Sequence, residues 1–269
     1  MPNPGTLSES IARGEADFGQ DFCAPALIPI DAGEPMVILS GVHPGCLELF
    51  ARASIRSLVD LRGKKVGVSG VGANEHVLLS VVVASVGLDP VKDIDWVFHA
   101  PLEQSDLFTA GEIDAFLTVP PWAQELHAHN IGHVILHSGL DRPWSQYLCC
   151  MLIGAADFIR RNPIATRCVV RATVRATEIC AAKPDWVAQR LADRGFTHSY
   201  NNYAGQAYAR QGLAEVDYRS WRDYDPEDTV RFYALRLREL GMIKSSPDKI
   251  IARGTDWRFI RGVRKELGI

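Results

Sequence analysis

Residues 60–74 constrain the fold more than any other segment of the chain. They read Asp-Leu-Arg-Gly-Lys-Lys-Val-Gly-Val, followed by Ser-Gly-Val-Gly-Ala-Asn. A polar turn at Gly63 leads into a short β-branched strand, and a glycine-rich loop then opens an apolar helix over residues 73–86. In open α/β sheets, ligands bind outside the carboxyl ends of strands, near the backbone N–H groups of a helix start. The segment therefore predicts an α/β fold with a ligand-facing strand, loop and helix.

The rest of the chain alternates short apolar strands with helices, which favours mixed sheets flanked by helices. The predicted strands are residues 16–18, 36–42, 46–51, 64–69, 94–99, 115–119, 133–137 and 146–153. The predicted helices are residues 6–13, 24–32, 73–86, 102–110 and 122–129, and the chain after Ala155 is almost wholly helical.

Two predicted strands, 46–51 and 146–153, have no helix directly before them. We predict that they cross between two lobes. The first lobe is then residues 1–52 and 146–269, and the second lobe is residues 53–145. A pair of crossover strands makes a hinge, and hinge closure around a ligand sequesters small molecules.

Composition excludes several classes of function. The chain has 29 Lys and Arg residues against 32 Asp and Glu residues, so its charge gives no case for nucleic-acid binding. No apolar run reaches about 18 residues, which argues against membrane insertion. The six cysteines form no Cys-x-x-Cys pair, and their apolar neighbours favour buried thiols over disulfides, although an even number permits bridges.

Motifs for catalysis or metal binding are absent from the sequence. It contains no Gly-x-Ser-x-Gly, no His-Glu-x-x-His and no phosphate-binding P-loop. His127, His129, His133 and His137 form a local group, but His133 and His137 lie on a predicted strand and would be about 13 Å apart. We interpret the group as solvated or edge histidines, and we predict no catalytic residue, no metal and no cofactor.

Two further phrases are similar to each other and flank the segment at 60–68. Residues 12–20 read Ala-Arg-Gly-Glu-Ala-Asp-Phe-Gly-Gln, and residues 110–122 read Ala-Gly-Glu-Ile-Asp-Ala-Phe-Leu-Thr-Val-Pro-Pro-Trp. With these phrases in this order, nearly the whole chain resembles the type II periplasmic substrate-binding proteins of ABC importers. The resemblance is to the nitrate, sulfonate, taurine and thiamine-pyrimidine-precursor branch. It implies a two-lobed type II periplasmic-binding-protein fold, a small anionic or polar-aromatic organic ligand between the lobes, an ABC transporter permease as partner and a monomer without enzymatic activity.

Polar and aromatic residues at strand ends and at the hinge are the candidate ligand-binding residues. The full set is Gln20, Asp21, His43, Gly70, Gly72, Ala73, Asn74, Trp122, Trp144, Gln146 and Tyr147. The N–H groups of the glycine-rich loop would suit a carboxylate, sulfonate or phosphate oxygen, whereas capping of the helix is the stronger interpretation for Asn74. The two tryptophans favour a ligand with a flat or apolar portion over a bare inorganic ion, and packing at the lobe surface is their alternative role.

One class of enzyme resembles the same region. The pyrimidine-forming synthases of thiamine biosynthesis share this fold, and their signature is a dense cysteine cluster. Here the corresponding stretch has only Cys149 and Cys150, and adjacent strand residues point to opposite faces. The sequence therefore favours a binder, and an enzyme of the same fold is the alternative.

The first seven residues contain no basic n-region and no apolar h-region, so they do not form a signal peptide. The family begins with a strand before its first helix, whereas this chain starts at that helix. We favour a numbered start downstream of the true one, with a periplasmic or lipid-anchored extracytoplasmic protein. If Met1 is the real start, the expected location is cytoplasmic.

Overall fold

The computed structural model describes residues 7–101, 103–196, 206–219 and 222–268. Within these ranges, every helix is too short or too polar to cross a membrane. The contact pattern divides the chain into two compact units, which are described separately below.

The first unit contains the chain up to Pro44, Gln146–Glu178 and the chain from Tyr218 onwards; the second contains Gly45–Ser145 and Ile179–Asp217. The lobes predicted from the sequence differ from these units in two segments. Residues 45–52 and 179–217 were predicted in the first lobe, and they lie in the second unit.

In the described part of the first unit, β8 (Leu148–Ala155) is the central strand of a three-stranded antiparallel sheet. β1 (Phe18–Phe22) and β2 (Met36–Pro44) pair with its two edges. β8 is buried at every position before Ala155, as its apolar sequence predicts for a central strand. The predicted strand at 16–18 is misplaced, because Phe18–Phe22 pairs continuously with β8.

The helices of the first unit pack on this sheet and on one another. α10 begins at Pro226 because the Asp225 carboxylate accepts a hydrogen bond from the N–H of Glu227 at 2.9 Å. It ends before Gly241, whose φ of 70° is left-handed. The helices are α1 (Leu7–Ala12), α2 (Cys23–Ala32), α6 (Ala156–Arg161), α7 (Pro163–Ala182, whose last four residues belong to the second unit), α10 (Pro226–Glu239), α11 (Pro247–Gly254) and α12 (Arg258–Leu267).

In the described residues of the second unit, five strands form a mixed sheet in the order β5-β4-β6-β3-β7. β4 runs parallel to β5 and β6, and β3 runs antiparallel to β6 and β7. The strands are β3 (Glu48–Ala51), β4 (Lys64–Val68), β5 (Ile94–Phe98), β6 (Ala115–Thr118) and β7 (His133–His137). The helices are α3 (Asn74–Ser85), α4 (Gln104–Ala110), α5 (Trp122–Ala128), α8 (Pro184–Asp193) and α9 (Gln206–Glu215).

Two sets of contacts explain why the second unit is larger than the predicted lobe. Leu49 of β3 is paired with β6 on one side and β7 on the other, so this strand is interior to the sheet. α9 packs against α5, and the side-chain amide of Gln124 donates to the Glu215 carboxylate at 2.6 Å. The backbone at Gly212 also approaches Pro120 so closely that a Cβ atom there would lie 2.6 Å from the proline ring.

An aromatic core holds the second unit together. Phe50 is 1% exposed, and its ring centroid lies 6.3 Å from that of Phe116, which lies 5.2 Å from that of Phe108. Arg52 spans the edge of this core, because its guanidinium donates to the carbonyl of Phe108 at 2.5 Å and to that of Ile113 at 3.0 Å. The core therefore packs the sheet against α4 and α5, the helices that begin at its carboxyl edge.

We expect Phe50→Ala to lower the free energy of unfolding by about 3–5 kcal/mol, because it leaves a cavity in this core. Phe98→Ala is the matched control, since Phe98 is 50% exposed in the same sheet. Phe98→Ala should lower the free energy of unfolding by no more than about 1 kcal/mol. Urea denaturation followed by circular dichroism measures both values, and equal losses for the two variants would contradict this account.

Candidate functional site

The carboxyl ends of β4, β5 and β6 lie at one edge of the sheet of the second unit, because these strands are parallel neighbours. Residues 69–73, 99–101 and 119–121 leave this edge, and α3, α4 and α5 begin after them along the chain. Trp122, the half-buried first residue of α5, follows the cis bond between Pro120 and Pro121. The structure thus brings the glycine-rich loop and Trp122 to the same edge.

A carboxylate lies at the start of α3, where the sequence predicts anion binding. Glu75 accepts a hydrogen bond from the backbone N–H of Ser69 at 2.5 Å and another from the Ser69 hydroxyl. The positive end of the helix favours a negative side chain there. The Glu75 carboxylate therefore occupies the favourable position that a ligand anion would otherwise occupy. Asn74 is the first residue of α3 and not its cap; the N-cap is Ala73, which makes no side-chain bond.

His76 supplies a second acceptor to this loop. Its Nδ1 accepts from the N–H of Gly72 at 3.2 Å, and the N–H of Ala73 donates to the carbonyl of Gly70 at 3.2 Å. Burial lowers the pKa of His76, although the charge of Glu75 acts in the opposite direction, so the ring is neutral near pH 7. Two of the backbone donors that the sequence offers to a ligand, those of Gly72 and Ala73, are therefore used within the loop.

The sequence analysis missed Glu75 and His76 as parts of this loop. An acidic residue in the first turn of a helix is a usable signal, because it complements the helix end. The part played by His76 is harder to predict from the sequence. Its Nδ1 accepts from the N–H of Gly72 in a turn whose geometry depends on the left-handed φ of 81° at Gly72.

A buried carboxylate in the second unit links two residues of the histidine group. Glu48 is 3% exposed, and its carboxylate lies 2.7 Å from Nε2 of His127 and 3.9 Å from Nε2 of His137. His127 is nevertheless exposed, and His137 lies on β7, the edge strand of the described sheet, so the interpretation of these two histidines as solvated or edge residues is confirmed. His133 and His137 lie on one strand, as predicted. The ligand atoms of the three residues do not all lie within 4.8 Å of one another, so this is a carboxylate–imidazole cluster and not a metal site.

His43 lies inside β2 and not in a loop after it, so its predicted position is wrong. It is 5% exposed, and its Nδ1–H donates to the carbonyl of Pro44 at 2.6 Å. The other ring nitrogen, Nε2, remains available to Cys150, the residue of β8 that pairs with His43. The sulfur of Cys150 lies within 4.8 Å of a ring nitrogen of His43. Burial by itself would lower the pKa of His43, but Cys150 and the Pro44 carbonyl outweigh it, and the pKa is raised.

The predicted positions of Gln20 and Asp21 are also wrong. Both residues lie within β1, because that strand continues to Phe22, and they pair with Leu152 and Met151 of β8. The Asp21 carboxylate accepts from the N–H of Phe22 at 2.8 Å.

The residues that were predicted at the hinge have three different surroundings. Trp144 is 4% exposed, and Tyr147 stacks on Phe232 with ring centroids 3.9 Å apart. Gln146 is exposed. These contacts favour packing over ligand binding for Trp144 and Tyr147, and the assignment of the whole ligand set stays a prediction.

We expect the pKa of His43 in the folded protein to lie above its ordinary value of about 6.5. A group whose folded pKa is raised stabilises the fold below its unfolded pKa, and this contribution is lost as the pH rises through the folded pKa. The stability difference between the natural protein and His43→Gln should therefore be larger at about pH 6 than at about pH 9. NMR titration of the imidazole, assigned with the same variant, measures the pKa; a value at or below 6.5 would contradict this.

The NMT1-like family matches the chain over residues 3–192, more than half of its length. The chain belongs to the NMT1-like family. Among curated proteins it is 28% identical over 140 residues to the nitrate import ATP-binding protein NrtC of Synechocystis sp., a match that covers 49% of this chain and 21% of NrtC. The chain thus spans well under two thirds of that relative.

Solved structures of binding proteins share the fold over nearly the whole chain. The periplasmic nitrate-binding protein NrtA from Synechocystis superposes with a TM-score of 0.74 at 16% identity, covering 97% of this chain and 77% of NrtA. The alkanesulfonate-binding protein SsuA from Xanthomonas axonopodis pv. citri, bound to MOPS, gives 0.69 at 19% identity, with 89% and 80% covered. The desulfurization enzyme DSZB gives 0.60 at 17% identity, with 94% and 86% covered. The predicted α/β periplasmic-binding-protein fold is confirmed, and binding proteins and an enzyme share it.

Proposed function

We propose that this member of the NMT1-like family is the substrate-binding component of an ABC importer of the sulfonate and nitrate type. It captures a small organic ligand and presents it to the permease. The observation that carries the proposal is the edge of the second unit where the glycine-rich loop and Trp122 follow neighbouring parallel strands. Ligands of open α/β sheets bind at this edge.

The side chains at this edge favour an organic ligand over a bare inorganic anion. Glu75 places a carboxylate in the loop, and the N–H groups of Ser69, Gly72 and Ala73 already donate within it. A free anion would meet the charge of Glu75 and would compete for occupied donors. The indole of Trp122 offers apolar area to a ligand with a flat or aliphatic portion.

The binding partners and the location are parts of the same proposal. NrtA is a periplasmic nitrate-binding protein, and SsuA is an alkanesulfonate-binding protein. We propose a periplasmic or otherwise extracytoplasmic monomer with an ABC permease as its partner and without chemistry on the ligand. The alternative is an enzyme of the same fold, such as a protein similar to the thiamine-pyrimidine-precursor synthases; turnover of the bound ligand would favour it.

A bound ligand should stabilise the protein by about 2.7 kcal/mol at a hundredfold its dissociation constant. A thermal-shift screen of nitrate, alkanesulfonates, taurine and aminopyrimidines detects this stabilisation, and mass spectrometry of the recovered ligand detects turnover. Stabilisation with unchanged ligand supports the binder, and iron- and pyridoxal-phosphate-dependent formation of a pyrimidine overturns it.

Trp122→Ala should weaken binding of the ligand found in this screen by about 1–3 kcal/mol, because it removes contact area at the proposed site. Trp186→Ala is the matched control, since Trp186 is 53% exposed on α8 of the same unit. Isothermal titration calorimetry should find its affinity unchanged. Equal affinities for both variants would remove Trp122 from the site.

Glu75→Gln should tighten the binding of nitrate and of MOPS, roughly fivefold, because it removes a negative charge from the loop that would meet the anion. Glu112→Gln is the control, because Glu112 is exposed in the turn before β6, at the opposite end of the strand. Calorimetry with both anions measures the change. Weaker anion binding in Glu75→Gln would show that the carboxylate supports the anion site instead of opposing it.

A further inference from the structure

An apolar groove lies between α7 and α12 of the first unit, outside every element assigned to the ligand. Its volume is about 340 Å³. Ile164, at the rim, is 82% exposed, whereas Phe259 is buried at 9%. The lining residues are Pro163, Ile164, Arg167, Arg258, Phe259 and Gly262.

The helices around this groove are strongly basic in a chain that is slightly acidic. α6, α7 and α12 together carry nine Lys and Arg residues against three Asp and Glu residues, while the whole chain has a net charge of −3. The helical spacing gathers these charges into two stripes. One stripe is Arg167, Arg171 and Arg175 on α7, and the other is Arg258, Arg261 and Lys265 on α12.

Gly262 keeps the groove open. It lies in the interior of α12, where glycine is less favourable than alanine. A Cβ atom at this position would meet no heavy atom within 4 Å, so close packing does not require a glycine there. Any larger side chain at position 262 would instead project into the groove that this residue lines.

We propose that this groove docks an acidic segment of a partner protein that carries a large apolar side chain. Arg258 already holds the Asp256 carboxylate with two bonds, of 2.8 and 2.6 Å, and Arg167 is paired with Glu266. A docking carboxylate would share or displace these pairs, so an acidic segment is favoured instead by the excess of basic residues on the three helices, nine against three. The apolar lining between Arg167 and Arg258 has room for one large apolar side chain of a partner. The basic surface around the groove is complementary to an acidic one. A concave groove fits a protein segment better than a flat anionic membrane.

Fluorescence anisotropy tests the proposal with a labelled synthetic peptide, Glu-Asp-Leu-Phe-Glu-Glu-Leu-Asp. A second peptide carries Gln and Asn in place of the acids. The acidic peptide should bind with an affinity that falls as NaCl is added, whereas the neutral peptide should not bind. Arg167→Glu with Arg258→Glu should weaken binding by about tenfold or more. Arg238→Glu, an exposed position on α10, is the control and should leave the affinity unchanged.

Gly262→Leu separates docking from folding. The leucine fills the groove and raises helix propensity, so the melting temperature should not fall while peptide binding is lost. Unchanged binding in Gly262→Leu overturns the proposal. Binding to phosphatidylglycerol vesicles but not to the acidic peptide also overturns it, in favour of a membrane surface, and binding to neither overturns it as well. None of these variants alters the proposed ligand residues, so the ligand screen remains an independent measurement.

Discussion

The parallel pairing of β4 with β5 and β6 is the constraint on which the candidate site depends. Asp114 fixes the register between β4 and β6, because its carboxylate accepts from the N–H of Lys65 at 2.9 Å and its own N–H donates to the Lys65 carbonyl at 2.7 Å. A slip of one residue would turn the buried Val66 and Val68 to the other face of the sheet. It would also move the start of α3 relative to the start of α5. This fixed register holds the loop and Trp122 at the same edge of the sheet, as the proposed ligand site requires.

Within that frame, the loop before α3 is organised by its own side chains. Glu75 and His76 accept hydrogen bonds from the N–H groups of Ser69 and Gly72 that an anion could otherwise accept, so these two donors are used before any ligand arrives. Such a loop is pre-organised, which lowers the entropy lost on binding, but its negative charge raises the electrostatic cost of an anion. In the proposed site, the Glu75 carboxylate would therefore contribute to the discrimination between ligands as much as the backbone would.

Much of the fold follows from local sequence, and the misses have physical reasons. The strands of the second unit from β4 onwards were predicted to within about one residue, because apolar runs bounded by glycine turns are local signals. The pairing of Glu48 with His127 and that of His43 with Cys150 join distant parts of the chain, and no local pattern encodes them. Gln20 and Asp21 were placed after β1 because a polar pair reads as a loop, whereas backbone pairing with β8 extends the strand through them.

The central position of β8 also bears on the order in which the chain can fold during synthesis. β1 and β2 emerge early, yet both take β8 as their partner, with Gly19 opposite Ile153 and Ile38 opposite the same residue. The strands of the second unit lie between residues 48 and 137 and are complete before β8 leaves the ribosome. Until β8 is synthesised, β1 and β2 therefore lack their partner strand, and another nascent chain could pair with their open edges. Unpaired strand edges favour aggregation, so a chaperone that shields residues 18–44 during this interval would protect the chain.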